Sequence, residues 1–143
     1  MKEKNTKEGR QYFLSIPQLI DRLCIVTLKS IKIASNKTAY EEEAHEIMHD
    51  LDLLLGPNQG KFIRAILLNA IVNETMWSNE SQARQGNDTQ GKRLLFTHSL
   101  NSVRNASTNA MSDLMDGRKD LKLDYMSPEL TKEFGYNFDG VLE

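Results

Sequence analysis

Residues 61–91, KFIRAILLNAIVNETMWSNESQARQGNDTQG, decide the fold that this sequence predicts. Apolar residues at helical spacing indicate one long helix from about Lys61 to Gln85, which closes at Gly86. The short loop NDTQG follows, and a further helix then continues to Gly117. Two long helices joined by a short loop pack as antiparallel neighbours. The segment therefore predicts a long helical hairpin.

Two more helices precede this hairpin. The letters SIPQ at 15–18 have the spacing of a capping box, with Pro17 in the first turn, so a helix begins there. Thr38 and Glu41 repeat the capping-box spacing and predict the start of a second helix. Gly56 ends that helix as its C-cap, with a proline directly beyond. Almost no stretch has the pattern of a strand.

The C-terminal residues predict one more short element. SPEL at 127–130 indicates a helix that Ser127 caps and Gly135 stops, followed by the aromatic tail YNFDGVLE. The prediction is therefore an all-α bundle of four main helices, with a long antiparallel hairpin and a short C-terminal helix. A chain of 143 residues fits one domain, which we place at residues 15–135, between a polar N-terminal tail (1–14) and a C-terminal tail (136–143).

Composition narrows the class of partner. The formal net charge is -2, with both signs spread along the chain, so neither nucleic acid nor an anionic membrane is an expected partner. Cys24 is the only cysteine and lies in an apolar helical run, which indicates a core residue in a reducing compartment. The N-terminal letters MKEKNTKEGRQ contain no apolar stretch, and no later segment approaches the ~20 apolar residues of a membrane span. We expect a cytoplasmic protein.

HEIMH at 45–49 matches the H-E-x-x-H pattern of zinc peptidases. On a helical wheel, His45 and His49 lie roughly 120 to 160° from the apolar stripe through Ala44 and Leu51, so they face solvent. Glu74 is the available third ligand, but the strand that holds the peptide in such enzymes has no counterpart here. The motif is interpreted as a chance match, and neither a metal nor a cofactor is predicted.

Glu42, Glu43 and Glu46 resemble the first metal-binding motif, E-E-x-x-E, of the all-α nucleotide pyrophosphohydrolases. Such enzymes need a second acidic pair one helix later, so that clustered carboxylates can hold Mg²⁺. Glu74 and Glu80 are six residues apart and lie on different faces. A charged solvent face is therefore favoured, and hydrolysis of nucleotides with the aid of a metal stays an alternative.

Polar residues recur at helical spacing on both arms of the hairpin. If the chain turns near Asp88, residues whose numbers add to about 176 lie opposite each other, which brings Asn73 close to Arg104. The two polar faces are then expected to meet. They consist of Asn73, Trp77, Glu80 and Arg84 on the third helix, and of Asn101, Arg104, Asn105 and Asn109 on the fourth.

Three stretches, SIPQLIDRLCIVTLKSIKI, VNETMWSNESQAR and SLNSVRNASTNAMSDLMDGRKDLKLDY, resemble an uncharacterised family of small helical proteins from bacteria and phages. Its members carry a LIDK-x-(T/S)-IL-x-IK-like opening and an N-E-x-x-W-x-x-E-x-x-x-R helix. The resemblance indicates which residues match the motifs of the family, but it implies no activity. HEIMH has no counterpart in these motifs. The matching residues are Asp21, Arg22, Ile25, Lys29, Asn73, Glu74, Trp77, Glu80, Arg84, Asn101, Arg104, Lys122 and Tyr125.

Arginine and asparagine side chains beside a tryptophan can bind a planar, phosphorylated ligand, because guanidinium groups take phosphate, amides read polar edges and an aromatic ring stacks on a base. Asp21 and Lys29 could add to the same cavity. The alternative is a buried network in which Glu80, Arg84 and Arg104 satisfy one another. The predicted ligand-binding residues are Asp21, Arg22, Lys29, Asn73, Trp77, Glu80, Arg84, Asn101, Arg104 and Asn105.

The sequence thus predicts non-catalytic binding of a small anionic ligand, a nucleotide or nucleotide sugar. If the chain is encoded by a phage, sequestration of a host signalling nucleotide would fit such a protein. Two alternatives remain, a metal-dependent nucleotide pyrophosphohydrolase and a structural module that forms homo-oligomers. No catalytic triad can be assembled, since neither Cys24 nor any serine has an evident activating partner.

Overall fold

The computed structural model describes residues 14–115 and 133–142. Four α-helices lie in this part of the chain, and no strand does, so the predicted all-α bundle is confirmed. Single 3-10 turns at Ala34–Asn36 and Thr89–Gly91 join consecutive helices. The helices are α1 (Ile16–Lys32), α2 (Lys37–Leu55), α3 (Gln59–Arg84) and α4 (Lys92–Leu114).

The capping box of α1 forms as predicted. The Gln18 backbone N–H donates to Ser15 Oγ at 3.3 Å, and the Ser15 N–H donates to Gln18 Oε1 at 2.9 Å. The capping box predicted for α2 is wrong, because the preceding 3-10 turn runs directly into the helix at Lys37, which puts Thr38 inside the first turn. The Glu41 carboxylate pairs with an arginine of α3 instead.

The hairpin of α3 and α4 has the predicted register. Asn69 Nδ2 donates to Ser107 Oγ at 3.0 Å, and Asn79 Nδ2 donates to Thr97 Oγ1 at 2.8 Å. In both pairs the residue numbers add to 176. The end of α4 lies at Leu114, and Gly117, the predicted end, is outside the described residues.

The central helix is α3. It packs against α1, α2 and α4, whereas the backbones of α1 and α4 do not come close to each other within the described residues. A helix with neighbours on three sides carries buried residues around much of its circumference. The buried apolar residues form two clusters, called here the α1–α2 core and the α3–α4 core. The α1–α2 core contains Leu19, Leu23, Val26, Ala44, Ile47, Met48 and Leu51, and the α3–α4 core contains Ile31, Leu68, Val72, Met76, Phe96, Leu100, Phe138 and Val141.

Residues 133–142, the C-terminal segment, pack on the bundle. The Phe134 ring stacks on Phe96 at a centroid distance of 4.6 Å. The Asn137 N–H donates to Ile31 O at 2.8 Å, and Lys37 Nζ donates to Asn137 O at 2.9 Å. Most of the predicted helix at 127–135 lies outside the described residues. No helix in the described part of the chain is long and apolar enough to cross a membrane.

Candidate anion-binding site

The predicted polar face of α3 points to solvent. Asn73, Trp77, Glu80 and Arg84 are all exposed, and Trp77 is 68% exposed. The face that meets α4 instead carries Asn69 and Asn79, with Val72 and Met76 between them. The expectation that the two polar faces meet through Asn73 and Arg104 is therefore wrong in detail, since the register is right but the helix is rotated about its axis.

The other predicted site residues are spread over the bundle. Asn101, Arg104 and Asn105 are half-buried on α4, whereas Asp21 and Lys29 are exposed on α1, a helix that does not pack on α4 in the described structure. Arg22 forms an ion pair with Glu43, and Lys29 Nζ lies 5.8 Å from the Tyr40 ring centroid. The structure does not bring the ten residues into one cavity. With Glu80 and Arg84 exposed, the alternative of a buried Glu80, Arg84 and Arg104 network is not formed either.

Because Trp77 is exposed, its removal should have little effect on the free energy of unfolding. Trp77→Ala is expected to change the free energy of unfolding by less than about 0.5 kcal/mol in urea denaturation, because a solvent-facing side chain contributes little. Phe96→Ala, which removes a 2% exposed ring from the α3–α4 core, is the control and should cost about 3 to 5 kcal/mol. A loss in Trp77→Ala as large as in the control would contradict the rotation of α3.

Asn79 is a polar residue that the sequence reasoning missed. It is 3% exposed, and its Nδ2 donates to Arg93 O at 2.7 Å as well as to Thr97. Arg93 Nη1 returns a hydrogen bond to Asn79 Oδ1 at 3.0 Å. All the hydrogen-bonding groups of this amide are directed across the hairpin, so its role is to fix the register of α3 against α4.

A cavity lies instead at the corner between α2 and α3. Its volume is about 330 Å³. One wall comes from α2, a second from the start of α3 and the turn before it, and a third from the C-terminal segment. The lining residues are His45, Met48, His49, Asp52, Asn58, Lys61, Arg64, Val141 and Leu142.

Arg64 is the residue that sets this cavity apart. Its side chain is 2% exposed, and Nη2 donates to Glu41 Oε2 at 2.7 Å. Arg64 Nε and Nη1 are buried without an acceptor, as is Glu41 Oε1 without a donor. An arginine stays charged in proteins and carries five N–H donors. Buried donors without a partner are costly, and Arg64 has donors left for a further acceptor besides Glu41.

Lys61 adds a second cation to the same wall. It is exposed, and its spacing of three residues from Arg64 puts the two side chains on one face of α3. The wall belongs to the first two turns of α3, which begins at Gln59, and the N-terminal end of a helix dipole favours negative charge. The opposite wall, on α2, presents the imidazoles of His45 and His49. The α3 wall can therefore bind an anionic group.

Neither of the two motifs that suggested metal chemistry belongs to a group of described side chains that could hold a metal ion. His45 and His49 are exposed, as the helical wheel predicts, and Glu74 lies away from them, in the groove between α1 and α3. Glu43 pairs with Arg22, while Glu42 and Glu46 are exposed. Within residues 14–115 and 133–142, no three His, Cys, Asp or Glu side chains are grouped so that they could share a metal ion.

Comparisons with known proteins add no further constraint: no protein-family model, curated protein or solved structure matches the chain. The resemblance to a family of small helical bacterial and phage proteins stays a prediction. Any functional assignment therefore depends on the geometry of the cavity.

Proposed function

We propose that the protein binds a small anionic, nucleotide-like ligand without turning it over, and that it does so in the cavity between α2 and α3. The observation that carries the proposal is the Arg64 guanidinium at the wall of the cavity, where Glu41 accepts only from Nη2 and leaves Nε and Nη1 without an acceptor among the described residues. A charge-assisted hydrogen bond from arginine to phosphate or carboxylate is among the stronger polar interactions in proteins. The anionic end of the ligand is assigned to Arg64 and Lys61.

The size and lining of the cavity limit the ligand. A volume of about 330 Å³ is near the lower end of known ligand pockets, which suits one mononucleotide better than a dinucleotide. Met48, Val141 and Leu142 give an apolar wall for a ring, and the two imidazoles give polar contacts.

The wider biological proposal follows from the sequence. A cytoplasmic protein of a phage, related to the small helical family that it resembles, would use such a cavity to sequester a host signalling nucleotide. Sequestration needs affinity and no chemical step. Incubation with the bound nucleotide should therefore release neither phosphate nor pyrophosphate.

Calorimetric titration with AMP tests the site. Lys61→Ala is expected to weaken AMP binding by tenfold or more, because a hydrogen bond to a charged group contributes about 1.5 to 3 kcal/mol. Lys61 is exposed, so the melting temperature of the free protein should stay close to that of the wild type.

Two control variants separate this cavity from the face predicted on sequence alone. Arg84→Ala removes an exposed cation from the same helix, outside the cavity, and Arg104→Ala removes a half-buried arginine from α4. Both should bind AMP like the wild type. Loss of binding in Arg84→Ala or Arg104→Ala with unchanged binding in Lys61→Ala would move the site to the hairpin and refute the proposal.

A further inference from the structure

The cavity has walls of opposite charge. Lys61 and Arg64 are on the α3 wall, whereas Asp52 is on the α2 wall, seven residues after His45 and three after His49 on the same helix face. A carboxylate in a cavity that is otherwise suited to anions is an unexpected component, because it repels negative charge. Its presence restricts which anions can bind.

Asp52 cannot turn away from the cavity without breaking the corner. Asp52 Oδ1 accepts the Gly60 N–H at 2.7 Å, and Asp52 O accepts the Gly56 N–H at 2.8 Å. The Asn58 side chain, at the N-cap position of α3, makes no capping hydrogen bond, so the Asp52 carboxylate supplies the cap. The carboxylate is fixed by the fold and still has lone pairs for further donors.

We infer that Asp52 selects the class of ligand, an inference that rests on the proposed anion site. Ligands that join an anionic group to a hydrogen-bond donor are accepted, and compact polyanions are excluded. The anionic group binds at Lys61 and Arg64, while an amine, amide or hydroxyl donor of the same molecule binds the Asp52 carboxylate. A nucleoside monophosphate has both parts. Pyrophosphate has negative charge at both ends and puts one end against Asp52.

The test compares AMP with inorganic pyrophosphate in calorimetric titrations of the wild type and of Asp52→Asn. The amide keeps an oxygen for the Gly60 N–H, so the corner stays capped while the charge is lost. We expect opposite changes: pyrophosphate binds at least tenfold more tightly to Asp52→Asn than to the wild type, and AMP binds severalfold more weakly. Glu42→Gln, which removes an equal charge from an exposed position of α2 outside the cavity, should change neither affinity.

Each other result has a separate meaning. If Asp52→Asn strengthens both ligands, the carboxylate only repels charge and the donor-recognition part is wrong. If both weaken together, Asp52 serves only as the helix cap and the inference is refuted. If the wild type binds neither AMP nor pyrophosphate, the proposed function itself fails. Equal tight binding of both by the wild type refutes selection by Asp52 and leaves the anion site in place.

Discussion

Glu41→Ala is expected to lower the free energy of unfolding by about 3 to 5 kcal/mol, because it leaves the Arg64 guanidinium buried without its carboxylate partner. The Arg64 side chain is 2% exposed and the Glu41 side chain 17% exposed, so little bulk solvent reaches the pair. Glu41 also supplies the only acceptor that Arg64 has among the described residues. Urea denaturation followed by circular dichroism gives the free energy.

Glu43→Ala is the matched control, since it breaks an ion pair made by the same helix two residues later. Arg22 in that pair is 49% exposed, and exposed ion pairs contribute about 1 kcal/mol or less. Equal losses in the two variants would mean that water in the cavity solvates Arg64 well enough to replace the carboxylate.

The same variant reports on the anion site. Glu41→Ala leaves Arg64 Nη2 without its acceptor, so phosphate that binds Arg64 should raise the melting temperature of Glu41→Ala more than that of the wild type. The rise should increase with phosphate concentration as mass action requires. Equal shifts in the two proteins would argue against an anion site at Arg64.

The fold was largely predictable because its determinants are local. The Ser15 capping box, the Gly56 C-cap and the short loop around Asp88 each act within a few residues, and the short loop predicts the hairpin register that the Asn79 hydrogen bonds then hold. The capping box at Thr38 failed because a neighbouring 3-10 turn decided where α2 begins. A tertiary partner, Arg64, engages the Glu41 side chain that the motif would have used.

The site could not be predicted in the same way. Helical spacing shows which residues share a face of α3, but packing against α1, α2 and α4 decides which face is exposed. Asn73 and Trp77 were therefore predicted as site residues, although both face solvent. The usable signal was Arg64, a charge inside the apolar run FIRAILL, since a buried cation requires a partner or a ligand.

HEIMH has a partial role. Its histidines belong to no group of described side chains that could hold a metal ion, yet both line the cavity. The wheel correctly put them on the exposed side of α2, but that side is next to the start of α3, which the spacing within α2 does not reveal. Sequence periodicity predicts which direction a side chain points and leaves open what it meets there.

Gly60→Ala is expected to destabilise the protein by about 3 kcal/mol, although glycine to alanine within a helix normally stabilises it by about 1 kcal/mol. A Cβ atom at residue 60 would lie 2.7 Å from Met48 Cα and closer still to Met48 O. Both are backbone atoms of α2, which cannot rotate away, so α3 must shift. Such a shift also breaks the hydrogen bond from the Gly60 N–H to Asp52 Oδ1.

Gly56→Ala is the control for this variant, because Gly56 lies in the same corner but a Cβ atom added there would meet no atom within 4 Å. Its φ of +119° makes alanine strained, which should cost about 1 to 2 kcal/mol without a steric clash. The two variants should also differ in function. Moving the start of α3 displaces Lys61 and Arg64 from the α2 wall, so Gly60→Ala should lose AMP affinity well beyond any loss in Gly56→Ala. A Gly60→Ala protein as stable as the wild type, with unchanged AMP binding, would show that the corner is not close-packed and that its geometry does not define the site.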